Sequence, residues 1–510
     1  MRFLYLKNYR KGPATNSSST HSVIFKNKDD MFKDMNVFEE NFYYRSTETI
    51  AVSKSAKLKY IAANIMYNKS LYDIMCYIYP EMNQYRDLIK TTITCQDRNH
   101  IYDFGMYTRG NLYFKDNLEA SIDYLRNIIE NDDIIIVGGS DEEEFFYDTT
   151  ENHKEIEKPN YLSKFFGTVK NGNYWVGYKF GRKIRFSTNK DICIPEYPEL
   201  IDLNITDMCE HNCQFCYKDS NKNGKHADLE NIKDLLSPIN RYYNQGNDFN
   251  FKKIEFAIGG GNVLLYPYLD ELFEYLSNAG HIINVTINAN DYHRLFDDNK
   301  IKNLFEQYVN AVGVSVSTVQ QANEISEYGY WRPKRYKDEK YNCMPSTTVI
   351  HLIPEMLGVY RTKEIINIVN NKEKENRFYY FLFLGYKTNG RGKTQSYTIF
   401  NNKELSELFN DAHCINIDTC FANRYINWLN GHYETIDKTL TLVEGEYSMY
   451  VDAVKLKAYK SSYQLDNPYN LATRYMVNTD NPDGNKPTET IISAFTWIRR
   501  DNNLSIYNEW

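Results

Sequence analysis

Between residues 200 and 384 short apolar runs alternate with amphipathic helical patterns, and this alternation restricts the fold more than any other feature of the chain. The strand candidates are Leu200 to Thr206, Lys253 to Ile258, His281 to Ile287, Ala311 to Ser317, Thr347 to Ile353 and Phe378 to Leu384. Leu229, Ile232, Leu236 and Ile239 mark one helix between them, and Leu269, Leu272, Phe273 and Leu276 mark another that stops at Gly280. Leu295 to Val309 and Lys363 to Val369 read as further helices. Strands that alternate with helices pair in parallel, since a helix supplies the long crossover that a parallel pair needs. A right-handed crossover at each step curls the sheet into a partial barrel. The expected fold class is therefore α/β: a partial (β/α)6 TIM-like barrel, with an N-terminal α+β domain before it and a short mixed C-terminal extension after it.

At 510 residues the chain has room for two or three domains. The pattern places them at 1–195 (an α+β domain expected to recognise substrate), 196–390 (the barrel) and 391–510 (the extension). In the first, Leu58 to Tyr79 reads as a helix, and Leu118, Ile122, Leu125 and Ile129 mark a second. Ile134 to Val137 is a short strand, and the acidic run Asp141 to Glu144 is a solvated loop. Asn171-Gly172, between Phe165–Lys170 and Asn173–Phe180, is a strong hairpin signal, and Lys183 to Ser187 extends that sheet. Asn478 to Glu489, with Pro482, Gly484 and Pro487, is a loop. No apolar run approaches 18 residues, so no spanning helix and no membrane partner are expected. Met1 to Lys11 has no apolar h-region, and a cytoplasmic location is expected. The net charge of −7 argues against a chain that binds nucleic acid over its whole surface, though not against a local basic patch.

Nine cysteines are too few for a disulfide scaffold in a chain of this size, yet three of them fall within eight residues. Cys209, Cys213 and Cys216 have the spacing C-x3-C-x2-C, on the loop between the first parallel strand and its helix. Loops at the carboxyl ends of parallel strands are where such folds place their chemistry. Three thiolates this close hold three irons of a cubane cluster and leave the fourth iron open to a substrate or cofactor, whereas most clusters are fully thiolate-ligated. The rival use of such a set is structural zinc with His211 or His226 as the fourth ligand, although the paired C-x2-C arrangement usual for zinc is missing. A two-cluster ferredoxin run would carry a fourth Cys followed by Pro, which this segment lacks.

With this loop after its first strand, and Phe215 before the third cysteine, residues 198 to 390 resemble the radical S-adenosylmethionine superfamily. The resemblance implies that Cys209, Cys213 and Cys216 bind a [4Fe–4S] cluster whose open iron chelates S-adenosylmethionine. It further implies that one electron, from an external reductant, cleaves the sulfonium to methionine and a 5′-deoxyadenosyl radical. The family holds the cofactor's amino group with a Gly-Gly-Glu-type motif after its second strand. Here that place reads Gly259-Gly260-Gly261-Asn262, so the resemblance assigns the contact to these glycines and to the Asn262 carbonyl. Thr286 and Asn288 end the third strand like the family's Thr-Thr-Asn-Gly. Ser315, with Ser317, ends the fourth strand like its Val-Ser-Leu-Asp, whose serine meets the cofactor. Leu384 matches the position that packs on adenine, and His351 on the fifth strand is either a pocket residue or a core histidine.

The segment Glu446 to Ser461 looks like the hairpin of a SPASM/twitch-like extension, the part that carries auxiliary clusters in many peptide-modifying members. Only Cys414 and Cys420 follow residue 390, so a degenerate extension without an auxiliary cluster is expected; the alternative is a site completed by Cys343 and His413. The glycine-rich basic segment Gly385 to Lys393, with Lys387, Arg391 and Lys393, lies after the sixth strand and either grips an anionic substrate group or is a solvated turn. Ala14 to Ser22, rich in hydroxyls, reads as a linker. No catalytic residue beyond the cofactor site is assigned. The expected activity is hydrogen abstraction from a peptide or protein side chain. The alternatives are radical modification of a nucleoside or RNA base, which would need a basic face, and a cluster-bearing sensor that never cleaves the cofactor.

Overall fold

The computed structural model describes residues 2–11, 14, 22–23, 49–51, 53–65, 69–84, 107–108, 111–112, 118–138, 169–179, 182–187, 193–240, 252–334, 347–370, 379–410, 415–434, 436–471 and 491–505. Cys343, His413, Cys414, the acidic run 141–144, the loop 478–489 and residues 165–168 and 16–21 lie outside these.

The N-terminal part is built on an antiparallel sheet. Its strands are β1 (Arg2–Lys11), β3 (Thr49–Ala51), β6 (Ile134–Gly138), β7 (Val169–Asn171), β8 (Tyr174–Lys179) and β9 (Arg182–Ser187), in the order β3-β6-β1-β9-β8-β7. The β7–β8 turn falls on the expected Asn171-Gly172, where Gly172 has φ +63°. A Cβ there would lie 1.9 Å from the Ile194 carbonyl oxygen, so both dihedral and space demand glycine. The pattern Leu58–Tyr79 resolves into two helices, Lys54–Ile65 and Lys69–Ile78. The helix Leu118–Glu130 matches its expectation. Two short strands, β4 (Tyr107–Thr108) and β5 (Asn111–Leu112), pair with each other, and β2 (Ser22–Val23) belongs to the larger sheet.

The larger sheet carries the six expected parallel strands in sequence order. They are β10 (Leu200–Thr206), β11 (Glu255–Gly260), β12 (Ile282–Asn288), β13 (Ala311–Ser315), β14 (Thr348–Leu352) and β15 (Tyr380–Phe383). The parallel array continues on both sides, into residues assigned to the extension by sequence. β16 (Ile415–Ile417) adds to β15, and β17 (Ser448–Asp452) adds to β10. The sheet's flanks are then antiparallel: β2 on β16, and β18 (Lys457–Tyr459) followed by β19 (Tyr469–Asn470) on β17. The expected hairpin within Glu446 to Ser461 is thus β17–β18, and its first strand forms part of the barrel wall.

Alternation divides each strand between two layers. Leu203, Ile205, Phe256, Ile258, Val285, Val314 and Phe383 join the main hydrophobic core, together with the helices Leu229–Asn240, Leu269–Asn278 and Asn299–Tyr308. Each such side chain contributes about 1.5–3 kcal/mol on burial. The opposite face of β10 carries Asp202, Asn204 and Thr206, all buried. The N-terminal segment reaches the far end of the barrel at Ala14, which is fully buried. Its N–H donates to Glu255 Oε1 at 3.0 Å and its carbonyl accepts from Asn284 Nδ2 at 2.7 Å.

Two helix boundaries differ from the pattern for local reasons. The expected helix Leu295–Val309 breaks at Asp298, which is extended (φ −88°, ψ 102°) and caps a new helix by accepting from the Lys300 and Ile301 N–H groups. The strand after Ala311 stops at Ser315, because Thr318 and Gln321 form a capping box that opens the helix Val319–Tyr328.

Candidate active site

The cysteine loop leaves β10 and is pinned at its base. Asp207 N–H donates to Lys225 O at 2.8 Å, Cys209 N–H to Asn221 O at 2.9 Å, and Ala227 N–H to Ile205 O at 2.8 Å. Thr206 Oγ1 and His226 Nδ1 lie 2.9 Å apart, which employs His226 in holding the loop. His211 Nε2 meets Asp291 Oδ2 at 2.6 Å, and this contact raises the His211 pKa. Both histidines proposed as a fourth zinc ligand therefore have structural partners. Among the described residues, the His/Cys/Asp/Glu trio whose ligand atoms all fall within 4.8 Å of one another is Glu210, His211 and Asp291. The three thiols are not so gathered, whereas sulfurs on one tetrahedral zinc stand roughly 3.8 Å apart, with Zn–S near 2.3 Å.

A cavity opens at the carboxyl ends of the parallel strands, as expected for the active end of such a fold. Counted out into the open solvent at its mouth, its empty space is about 1330 Å³. Cys209, Cys213 and Cys216 line it and are half-buried, with Phe215 beside them. Burial pushes the Cys209 and Cys213 thiols up, and the Arg391 charge opposes this at Cys213. Metal binding at these positions would therefore displace protons.

The other sequence-predicted residues fall around the same cavity with one exception. Gly259, Gly260 and Gly261 form one wall. A Cβ on Gly259 would meet nothing within 4 Å and would project into open space. Cβ atoms on Gly260 and Gly261 would instead lie 2.3 Å from Thr206 O and 2.1 Å from Met208 O, so those two glycines let the turn pack on the cysteine loop. Thr286 and Asn288 end β12 on the cavity, and Asn288 Nδ2 lies 3.9 Å from Cys213 Sγ. Ser315, Ser317, His351 and Leu384 also line it.

The exception is Asn262. Asn262 is buried and lies outside the cavity lining. Its carbonyl oxygen accepts from Leu264 N–H at 3.0 Å, and its amide donates to Glu210 Oε1 at 2.8 Å and Asp291 Oδ2 at 3.0 Å. The side chain caps a short 3-10 turn, Val263–Leu265, so its oxygen is turned from the cavity.

The expectation for the basic segment also changes. Arg391 binds the cysteine loop, and its guanidinium is engaged with Cys213 O, Asp219 and Ser220 O. Lys393 is exposed. Lys387 turns into the cavity wall, donates to Ser462 Oγ at 3.2 Å and lies 4.5 Å from the centre of the Tyr217 ring.

Sequence reading passed over two cavity residues. Asp202 lines the cavity from β10, with Oδ2 buried and without a hydrogen-bond partner. Burial lifts its pKa to about 7, against the pull of Lys218 and Lys387. Tyr450, on β17, lines the cavity and accepts from Lys218 Nζ at 2.5 Å. The signal for Asp202 was available in the alternation of Asp202, Asn204 and Thr206 within an apolar strand. Tyr450 was hidden because β17 returns to β10 from more than 240 residues away. Cys420, which the sequence offered as a remnant cluster ligand, begins the helix Thr419–His432, and burial pushes its thiol up to about 12.

The residues fit a cluster and its chelating cofactor. Three separated thiols line one cavity, Gly259 leaves space at backbone level, and Asp202 lines the same cavity with a buried acceptor.

Residues 203–339 match the family model described as "Radical SAM superfamily". No curated protein matches the chain. Among solved structures it is similar to SuiB of Streptococcus suis bound to precursor peptide SuiA, at 11% identity and a TM-score of 0.36, covering 52% of this chain and 60% of that one. SuiB bound to S-adenosylmethionine aligns over 92% of this chain and 88% of that one, at 11% identity and a TM-score of 0.35. The native enzyme anSMEcpe with bound AdoMet and Cp18Cys peptide is similar at 14% identity and a TM-score of 0.32, covering 54% and 76% of the two chains. The chain thus spans 60% of the length of the first of these, and at such scores the likenesses bear on neither substrate nor partner. The matched segment contains the cysteine loop at the carboxyl end of β10, and the family whose model it matches uses a [4Fe–4S] cluster and S-adenosylmethionine.

Proposed function

We propose that the protein reductively cleaves S-adenosylmethionine and abstracts hydrogen from a peptide or protein side chain. The observation that carries the cleavage half is the placement of Cys209, Cys213 and Cys216 in the lining of a cavity whose backbone is open at Gly259. When bound, the cluster and cofactor supply a one-electron cleavage that yields a 5′-deoxyadenosyl radical. The chain's own residues bind, orient and shield. The three thiolates would ligate the cluster, the backbone at Gly259 would leave room for the cofactor's amino-acid end, and Thr286, Asn288 and Ser315 would offer hydrogen bonds to its polar groups. Leu384 and the neighbouring apolar wall exclude water from its base. Asp202, Lys387 and Tyr450 line the same cavity and would be left to hold the substrate.

A polymer substrate is favoured by the cavity rim. Tyr386 lines the cavity and stacks on Tyr397 at 4.6 Å between ring centres, and Tyr397 belongs to the exposed run 393–399. That run leads from the cavity wall across the surface and provides a track for an extended chain. The test is anaerobic incubation of the reconstituted protein with S-adenosylmethionine and dithionite. The expected products are methionine and 5′-deoxyadenosine. Their absence from protein that holds its cluster would leave the sensor reading standing.

A further inference from the structure

The segment after β15 grips the cysteine loop at four points. Arg391 N–H donates to Cys216 O at 3.0 Å. Its guanidinium donates through Nε to Cys213 O at 3.0 Å, through Nη1 to Asp219 Oδ1 at 2.8 Å, and through Nη2 to Ser220 O at 2.9 Å. The glycines on either side make this approach possible. A Cβ on Gly390, at φ +53°, would lie 2.7 Å from Cys216 O and 2.6 Å from Tyr217 O. A Cβ on Gly392 would lie 2.6 Å from Lys387 O.

Within the gripped loop the cysteine segment's own backbone bonds are two turns, Cys216 N–H to Cys213 O at 3.2 Å and Asp219 N–H to Cys216 O at 3.4 Å. Its β-bridges, Thr206 with His226 and Met208 with Asn221, are confined to its base. Between them Asn212 (φ +47°) and Asp219 (φ +60°) adopt left-handed conformations that favour glycine. Such residues cost of order 1–3 kcal/mol each and persist only where their surroundings hold them. Asp219 is held by Arg391, and so are the carbonyls of two of the three cysteines. A planar fork with five donors suits three acceptors that diverge in this way, and a lysine ammonium does not.

We propose that Arg391 is a positioning residue for the cluster: it locks the cysteine loop in its ligating shape and places a fixed positive charge beside the Cys213 ligand. This rests on the reading of the three thiols as cluster ligands. Reduction adds one electron, taken from the external reductant, to a cluster already surrounded by thiolates. A fixed cation favours the more negative state, so Arg391 raises the reduction potential.

The test compares wild type, Arg391→Gln and Arg391→Lys, each reconstituted anaerobically and studied without S-adenosylmethionine. Iron retention is followed against a chelator, and a dithionite redox titration is followed by electron paramagnetic resonance. Arg391→Gln should lower the one-electron reduction equilibrium about tenfold, which is a fall of about 59 mV, and should lose iron several-fold faster. Arg391→Lys should keep the potential near that of wild type while losing iron faster, because charge is retained and the fork is not. If Arg391→Gln fails to take up iron, the potential of Arg391→Lys decides, and a fall as large as tenfold there would overturn the charge role. Wild-type potential and iron retention in Arg391→Gln would overturn the inference alone. A wild type that takes up no iron would overturn the cluster reading and this inference with it.

Discussion

Replacing Gly259 and Gly261 separately distinguishes a glycine that admits a cofactor from one that admits the fold. A Cβ on Gly261 would lie 2.1 Å from Met208 O, at the base of the cysteine loop, where Gly261 N–H also donates to Thr206 O at 2.6 Å. Neither backbone can yield without moving that loop, so Gly261→Ala should cost about 1–3 kcal/mol, the usual range for forcing an extra methyl into a packed site. A Cβ on Gly259 meets nothing within 4 Å, so Gly259→Ala should leave stability within about 1 kcal/mol of wild type, in the stabilising direction, since the unfolded chain loses freedom. Gly259→Val then projects its methyl groups into the space assigned to the cofactor. S-adenosylmethionine affinity should fall tenfold or more, about 1.4 kcal/mol. Urea denaturation measures the first quantity, and calorimetric titration of the anaerobically reconstituted protein measures the second. Wild-type affinity in Gly259→Val, or wild-type stability in Gly261→Ala, would refute the division.

Asn262→Leu should destabilise the protein by about 2–4 kcal/mol, through loss of a cap and of hydrogen bonds to the Glu210 and Asp291 carboxylates. Once the protein is folded and reconstituted, cofactor affinity should stay within threefold of wild type; a loss of one to two decades in calorimetry would restore Asn262 to the cofactor site. Glu199→Gln should cost about 3–5 kcal/mol at pH 7, because the buried Glu199 carboxylate alone faces Lys183 Nζ at 2.6 Å and Arg185 Nε at 2.7 Å. Burial raises the Glu199 pKa, but Arg185 and Lys183 outweigh it and hold the value at about 2, below the ordinary 4.5. Its contribution is therefore complete above about pH 4.5 and is lost as pH falls through about 2, so the wild-type advantage in urea midpoint should shrink from pH 7 to pH 3. A difference unchanged over that range would contradict the assignment.

The barrel was legible because its strands are buried on both faces and bounded by helices, so period and length agreed from Leu200 to Phe383. The cysteine loop was legible because its ligands lie within eight residues. What escaped notice depends on distant pairing. β16 is three residues long, and β17 joins β10 from the far end of the chain, so neither announces itself as a barrel strand locally. The helix Val319–Tyr328 was within reach, since Thr318 and Gln321 form a capping box that the sequence spells out. The bonds of Asn262 were not legible, because a family motif fixes position and not partners: three glycines place the residue, and its oxygen accepts from Leu264 N–H. Arg391 was left as either a substrate grip or part of a solvated turn, because charge on a loop at the barrel mouth is visible in sequence, while the carbonyls that absorb it are not.

The most direct test of the central claim is metal analysis after anaerobic reconstitution. The account predicts about four irons per chain with broad visible absorption, abolished when Cys209, Cys213 and Cys216 are replaced by alanine. Stoichiometric zinc without iron, or iron retained by the triple alanine variant, would contradict it.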